Sequence, residues 1–222
     1  MSRSNNRAVI WDMDGVIVDT AFYHREAWQE VFGKQGILFT EEDFRHSFGQ
    51  RNDTIIKKVM GEEVAPDKLN TISTEKEVIF RESIRQNPRP LPGAIELMAA
   101  TGQDGLLMAL ASSAPIENIR LLLEGLGIDK YFQSIISAGD VSTGKPDPQV
   151  FLLAARRLGV EPGNCIVIED AVAGVSAAKR AGMHCVAVTN THPGASLIEA
   201  DLVISSLTEI TVKDLKRLLS QS

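Results

Sequence analysis

Three aspartates fall close together, directly after an apolar run near the beginning of the chain. The stretch reads AVIWDMDGVIVDT over residues 8–20, with carboxylates at Asp12, Asp14 and Asp19. If residues 8–11 form a strand, Asp12 and Asp14 point to the same side at its carboxyl end, because strand side chains alternate. Two carboxylates on one side suit metal ligation, an acid/base pair, or a nucleophile beside an acid.

Other polar residues stand where further apolar runs end. They are two serines, two acids and one lysine: Ser112, Ser113, Glu169, Asp170 and, in the loop STGKPDP, Lys145. Taken alone, each reads as a turn or surface residue. Taken together, hydroxyls and a lysine suit anionic phosphate oxygens. A divalent cation would remove the repulsion between the clustered acids.

The segments that must position these residues are short and continuously apolar, as expected for strands buried on both faces of a parallel sheet. They are residues 8–11, 106–111, 134–138, 165–168, 185–188 and 202–204. Helical patterns lie between them at 116–126, 149–158 and 172–181, each ending next to a glycine. This alternation predicts an α/β fold with a doubly wound, mainly parallel, Rossmann-like sheet.

The interval from residue 21 to residue 92 breaks the alternation, because no strand pattern occurs in it. Helical patterns fit residues 22–32, 41–48, 54–60 and 66–85, and Thr40 with Asp43 makes a capping pair for the second of these. We therefore predict a core domain of residues 1–20 and 93–222, with a small all-helical cap domain of residues 21–92 inserted after the first strand. Ligands bind at the carboxyl ends of such sheets, so the insertion is expected to act as a lid.

Composition excludes several classes of protein. The 222 residues carry a formal net charge of −6, which argues against a nucleic-acid partner. No apolar stretch reaches the roughly 18–20 residues that a membrane span needs, and residues 1–7 lack the apolar region of a signal peptide. Cys165 and Cys185 lie in apolar runs and read as core thiols. We expect a cytoplasmic protein without a membrane partner.

The four polar strand ends together resemble the motifs of a known family. DMDGVIVDT, the strand end LASS, GKPDP and VIEDAVAGVSAAKRAG are similar, in order, to the four motifs of the haloacid dehalogenase superfamily. The match favours its β-phosphoglucomutase-like and sugar-phosphatase branch, which has a helical first-type cap. True dehalogenases lack the second aspartate, so Asp14 indicates phosphoryl transfer.

The resemblance implies a role for each core residue. Asp12 would attack phosphorus and form an aspartyl-phosphate, and Asp14 would act first as acid and then as base. Ser112 and Lys145 would bind the oxygens of the transferring phosphate. Asp19 is expected to have only a structural role, at the turn into the lid.

The resemblance also implies a Mg²⁺ cofactor. Asp12, the backbone carbonyl of Asp14 and Asp170 would hold the ion, with Glu169 alongside. The cation would offset the repulsion between a phosphate dianion and an anionic nucleophile.

Four residues are expected to contact the substrate beyond the phosphate. His24, in DTAFYHREAW, matches a histidine near the hinge of the cap, and Arg51, in FGQRND, matches a cap-loop residue that would bind a second anionic group. Lys76, in EKEVIF, falls where relatives carry a cap lysine, and Ser113 follows the serine of the second motif. On spacing alone, Arg51 and Lys76 would be solvated charges.

Two departures from the mutase pattern favour a phosphatase acting on a small sugar phosphate. Residues 114–116 are Ala-Pro-Ile, whose side chains cannot hydrogen-bond to a distal phosphate, and TNTHPG at 189–194 looks more like the phosphatases. The alternative is a β-phosphoglucomutase that uses the same aspartyl-phosphate. A monomer is expected in either case.

Two hypotheses that assign the chain to other classes of protein fit the sequence less well. A phospho-accepting, receiver-like signalling domain would share the acids, the hydroxyl and the lysine, but it is shorter and has no helical lid. A nucleotide-binding module would show a Gly-x-Gly-x-x-Gly turn after a strand, and the sequence has none.

Overall fold

The structure, a computed structural model, describes residues 6–220, and its strands form one parallel sheet. The six strands are β1 (Ala8–Trp11), β2 (Leu107–Ala111), β3 (Ser134–Ile136), β4 (Cys165–Glu169), β5 (His184–Val188) and β6 (Leu202–Ile204). Their order is β3-β2-β1-β4-β5-β6, and every neighbouring pair is parallel. The order reverses beside β1, which confirms the predicted doubly wound α/β fold and marks a topological switch point, where ligands bind.

Helices cover the sheet and fill the interval after β1. In the described part of the chain they are α1 (Ala21–Gly33), α2 (Glu41–Ser47), α3 (Asn52–Met60), α4 (Pro66–Ile84), α5 (Ala94–Gln103), α6 (Ile116–Leu126), α7 (Gln149–Leu158), α8 (Val172–Arg180) and α9 (Val212–Leu218). None of these helices is long and apolar enough to cross a membrane.

Residues of β1 alternate between two hydrophobic cores, one on each face of the sheet. Val9 and Trp11 belong to the core that α5, α6 and α9 cover. Ala8 and Ile10 belong to the core that α7 and α8 cover. Burial on both faces explains why the strands read as continuous apolar runs, and it holds their carboxyl ends rigidly in place.

The helical insertion, residues 21–92, has a hydrophobic core of its own. In this core Trp28 stacks on Phe32, and the ring of Phe39 packs at a tilt against both. The predicted cap of α2 is present: the Thr40 hydroxyl accepts from the Asp43 N–H at 3.1 Å, and the Thr40 N–H donates to the Asp43 carboxylate at 2.9 Å. The all-helical insertion after β1 is confirmed, whereas the exact division of the chain into two domains stays a prediction.

The chain enters and leaves the insertion at neighbouring positions. Val18 forms an isolated antiparallel bridge with Pro90. On either side of it, the Asp19 N–H donates to the Arg89 carbonyl at 3.3 Å and the Leu91 N–H donates to the Ile17 carbonyl at 2.8 Å. The two crossings therefore form a short two-stranded connection between the sheet and the helices.

Both cysteines are buried free thiols, as the sequence predicted. Burial raises the pKa of Cys165 to about 12 and raises the pKa of Cys185 as well. The thiol form is therefore the stable one, and both residues pack as small apolar side chains.

Candidate active site

The carboxyl ends of the central strands bring the predicted core residues together. Asp12 follows β1, Ser112 follows β2, and Asp170 follows β4. Because β1 lies between β2 and β4 in the sheet, these three positions are neighbours. Ser112 is buried, and its hydroxyl accepts from the Ala114 N–H at 3.0 Å.

Lys145 bridges two of the buried carboxylates. Its Nζ lies 2.6 Å from Asp12 Oδ1 and 2.6 Å from Glu169 Oε1, and the lysine is only 6% exposed. The other oxygen of Glu169 accepts from the N–H groups of Asp170 and Ala171 at 2.8 and 2.9 Å. Glu169 is thus held on both oxygens and in turn holds Lys145.

Three carboxylates share this small buried volume. Oxygens of Asp12, Glu169 and Asp170 lie within 4.8 Å of one another. Burial raises the pKa of Asp12 to about 7 despite the opposing effect of Lys145. Burial, and then the charges of Glu169 and Asp12, raise the pKa of Asp170 well above its usual range. The three carboxylates outnumber the one lysine that contacts them, so the cluster is a candidate metal site.

The loop after β5 holds the far side of this cluster. The Thr191 hydroxyl donates to Asp170 Oδ2, and the Asn190 side chain donates to the Gly15 carbonyl at 2.9 Å. Gly15 itself has a φ of +79°, and a Cβ added there would overlap Asp170 Oδ2 and lie 2.8 Å from Thr191 Oγ1. A side chain at Gly15 would therefore displace the carboxylate.

Gly15→Ala is expected to destabilise the protein more than Gly36→Ala does. Both glycines have a left-handed φ, so both alanines cost about 1–2 kcal/mol of backbone strain. A Cβ at Gly36 meets no atom within 4 Å, whereas at Gly15 it adds an overpacking cost of about 1–3 kcal/mol. Urea unfolding of the two variants measures the difference, and equal losses would contradict the proposed close packing at Gly15.

Asp14 lies beside the cluster and faces the helical insertion. Its Oδ1 accepts from the Thr20 hydroxyl at 2.7 Å and lies 3.1 Å from His24 Nε2. Burial raises the pKa of Asp14, but His24, Thr20 and Lys76 outweigh it, so the pKa falls below its usual range. Asp14 is therefore an ionised carboxylate with two donors.

His24 connects Asp14 to Lys76. Lys76 Nζ lies 2.8 Å from His24 Nδ1, and the imidazole stacks on Phe80 with ring centroids 3.9 Å apart. Burial and the charge of Lys76 lower the pKa of His24. An ammonium can only donate, so Nδ1 accepts and the neutral imidazole donates from Nε2 to Asp14.

A small cavity of about 40 Å³ lies between residues of the core domain and residues of the insertion. Among its lining residues are Asp14, His24, Lys76, Ser113 and Ala114. The structure thus gathers three of the four predicted substrate-binding residues around one cavity.

Arg51, the fourth, lies elsewhere. Its guanidinium donates to the carbonyls of Ala138 and Val141 at 3.1 and 2.8 Å and to Asp53 at 3.2 Å. It ties the insertion to the core outside the lining of the cavity, and its predicted role with a second anionic group of the substrate stays a prediction. Asp19 is exposed at the entrance to α1.

Several residues of the site were not predicted from the sequence. They are Thr20, Asn52, Glu77, Asn118, Asn190 and Thr191. Asn190 and Thr191 lie two and three residues after β5, so the strand-end rule would have found them only if it had been extended into the loop. The contacts of Glu77 depend on how α4 docks onto the core, which no local pattern encodes.

Comparisons with known proteins agree with this geometry. A family model for haloacid dehalogenase-like hydrolases matches residues 6–182. Validoxylamine A 7'-phosphate phosphatase of Streptomyces hygroscopicus subsp. limoneus is 33% identical, over 92% of this chain and 95% of the relative. The phosphorylated carbohydrates phosphatase of Thermotoga maritima is also 33% identical, over 96% of this chain and 99% of the relative.

A solved structure is similar to this chain throughout its length. The crystal structure of β-phosphoglucomutase from Clostridium difficile superposes with a TM-score of 0.88 and 28% sequence identity. The superposition covers 97% of this chain and 98% of that one.

Proposed function

Since the chain belongs to the haloacid dehalogenase-like hydrolase family, we propose that it is a Mg²⁺-dependent phosphatase that releases phosphate from a small sugar phosphate. The resemblance read from the four motifs is thereby confirmed at the level of the family. The observation that carries the proposal is the buried group of Asp12, Lys145, Glu169 and Asp170 beside Asp14. The two phosphatase relatives support the hydrolytic reaction and a phosphorylated sugar as substrate.

The acidic cluster fits a magnesium ion. Its donors are carboxylate oxygens, which Mg²⁺ prefers, and its three acids have one lysine between them. Asp12, Asp170 and the Asp14 carbonyl would hold the ion, with Glu169 alongside. When bound, Mg²⁺ would neutralise charge on the phosphate and so let an anionic nucleophile approach it.

Asp12 is proposed as the nucleophile. Lys145 fixes its carboxylate at 2.6 Å and, with Ser112, would bind oxygens of the transferring phosphate. Attack of Asp12 on phosphorus would expel the sugar oxygen and leave an aspartyl-phosphate, which water then hydrolyses. Splitting the reaction into two steps avoids a direct attack of water on a phosphate dianion.

Asp14 is proposed as the acid and base of these two steps. Thr20 and His24 hold the carboxylate in the ionised form suited to deprotonate water in the second step. In the first step it needs a proton for the leaving oxygen, and the arriving phosphate dianion would raise its pKa by like-charge repulsion. His24 and Lys76 act through Asp14 and are positioning residues in this scheme.

Substrate entry requires the helical insertion to move. The cavity of about 40 Å³ is far below the range of about 300–1,000 Å³ that small-molecule sites occupy. The short connection at Val18 and Pro90 is the place where such a motion would pivot. After closure the same residues would keep bulk water away from the aspartyl-phosphate.

Hydrolysis is favoured over the mutase reaction. A mutase must grip both phosphates of a bisphosphate, but Ala114 in the cavity wall has no polar side chain, and Arg51 already bonds to backbone carbonyls. The similarity to a β-phosphoglucomutase structure keeps isomerisation as the second candidate.

The experiment that separates the two candidates measures both products at once. Purified protein is incubated with Mg²⁺ and a panel of sugar monophosphates, and inorganic phosphate is quantified. Parallel samples contain β-glucose 1-phosphate with a bisphosphate primer, and formation of glucose 6-phosphate is followed. We expect phosphate release that EDTA abolishes. Isomerisation with little release would establish the mutase, and the absence of both reactions would reject the proposal.

A further inference from the structure

A buried carboxylate of the helical insertion faces the cavity without any role in the proposed reaction. Glu77 lies on α4, is 4% exposed, and lines the cavity next to Lys76. Burying an ionised carboxylate is costly unless donors hold it. Its position therefore needs an explanation that the chemistry at Asp12 and Asp14 does not supply.

Three donors hold Glu77 in place. Oε1 accepts from Lys76 Nζ at 2.8 Å and from the Asn52 side chain at 2.7 Å, and Oε2 accepts from the side chain of Asn118. Burial raises the pKa of Glu77, but the charge of Lys76 and the hydrogen bonds from Lys76 and Asn52 outweigh it and hold the pKa below its usual range. Glu77 is therefore a fixed negative charge.

The net charge of the cavity follows from its charged lining residues. Among its lining residues, Asp14 and Glu77 are carboxylates and Lys76 is the one ammonium ion, while His24 is neutral. Lys76 is already shared between Glu77 and His24. The cavity therefore carries a net charge of −1, and Lys76 already has two partners before any substrate binds.

We propose that Glu77 determines which leaving groups the enzyme accepts, by selecting against a second negative charge. This inference rests on the proposed phosphatase function. Hydroxyl or ammonium groups of the substrate could donate to the free lone pairs of Glu77. A carboxylate or second phosphate would face Glu77 and Asp14 without a compensating cation, and like charges held close together in a site of low dielectric repel strongly. The preferred substrates are then monophosphates with a neutral or cationic body.

Two matched pairs of substrates test the inference on the wild-type enzyme. Glucitol 6-phosphate and 6-phosphogluconate differ by a hydroxymethyl group against a carboxylate, and glucose 6-phosphate and glucosamine 6-phosphate differ by a hydroxyl against an ammonium. We expect kcat/KM to be at least about tenfold higher for glucitol 6-phosphate than for 6-phosphogluconate. Glucosamine 6-phosphate should be hydrolysed at least as well as glucose 6-phosphate.

Glu77→Gln assigns the preference to this residue. The amide keeps the shape of the side chain but removes the excess negative charge of the cavity and the ion-pair partner of Lys76, so the preference for glucitol 6-phosphate should fall below about twofold or reverse. Glu82→Gln, at an exposed position of α4, makes the same change in net charge away from the cavity and should keep the wild-type preference. Circular dichroism and thermal unfolding confirm that both variants are folded.

The outcomes separate this inference from the proposed function. Equal hydrolysis of glucitol 6-phosphate and 6-phosphogluconate by the wild-type enzyme would overturn the inference and leave the phosphatase in place. A folded Glu77→Gln variant with an unchanged preference would also overturn it. Failure to hydrolyse any sugar phosphate would overturn both.

Discussion

Asp12→Asn is expected to lower kcat for phosphate release by about 10⁴-fold or more, the range seen when a catalytic nucleophile is removed. An amide cannot form the aspartyl-phosphate, although it fills the same space at the end of β1. The amide oxygen can still accept from Lys145, which lies 2.6 Å from Asp12 Oδ1. The fold should therefore survive while the reaction does not. Single-turnover and steady-state phosphate release measure the effect.

Asp19→Asn is the matched control for this variant. It removes a carboxylate from the same segment of chain, but at an exposed position outside the site. We expect kcat within about twofold of the wild-type value, as is usual for surface substitutions. Substantial turnover by Asp12→Asn would mean that another group attacks phosphorus, and the proposed mechanism would fall even if hydrolysis stood.

Lys145→Met is expected to destabilise the protein by about 3–5 kcal/mol in the presence of EDTA, because it leaves two buried carboxylates without their cation. Lys145 is the partner of both Asp12 and Glu169 at 2.6 Å. Added Mg²⁺ should restore part of the loss, since it would return positive charge to the same place. Urea unfolding with and without Mg²⁺ gives both quantities, and phosphate release should be lost in either case.

The loss of unfolding free energy caused by Lys145→Met should also depend on pH. The pKa of Asp12 is raised from 3.8 to about 7, so the folded state binds more protons than the unfolded state between these values. Its ionisation therefore destabilises the protein as pH rises through this range. Without Lys145 the pKa of Asp12 rises further, so the folded variant keeps its proton to higher pH than the wild type does. In EDTA the difference in unfolding free energy between the two proteins should therefore widen as pH rises above about 7 and change little at lower pH.

Lys179→Met controls for the loss of one lysine. Lys179 pairs with Asp201 at 2.7 Å, but about a third of each side chain is exposed. Exposed ion pairs contribute at most about 1 kcal/mol, so this variant should lose little. If the two lysine variants lose the same free energy of unfolding, Lys145 does not compensate buried charge as the structure implies.

The core of the site could be predicted because it follows from strand position. Asp12 and Ser112 come directly after an apolar run, Asp170 comes one residue later, and parallel strands bring such positions to one edge of the sheet. Glu77 could not be found in this way. Adjacent residues on a helix point in different directions, so only the docking of α4 brings Glu77 to the same cavity as Lys76.

Helix ends show the same division between local and tertiary information. The capping pair of Thr40 and Asp43 placed α2 correctly. Thr211 and Asp214 form the same capping box at α9, so the sequence carried a signal for a helix that was not predicted. α5 follows an N-cap residue, Gly93, that has a left-handed conformation and offers no side-chain cap, and the first residues of the helix pack against the core, so no comparable local signal marked it.

The paired crossing at Val18 and Pro90 means that the chain departs from the sheet and rejoins it at nearly one point. Chains tolerate the grafting of whole segments where the two ends lie close together. A chimera therefore needs only two junctions, both at this crossing, and the strand order beneath stays the same whichever helices are joined there. Recombination between relatives at this crossing could exchange the groups that contact the leaving group while the strand-end carboxylates and their lysine stay untouched.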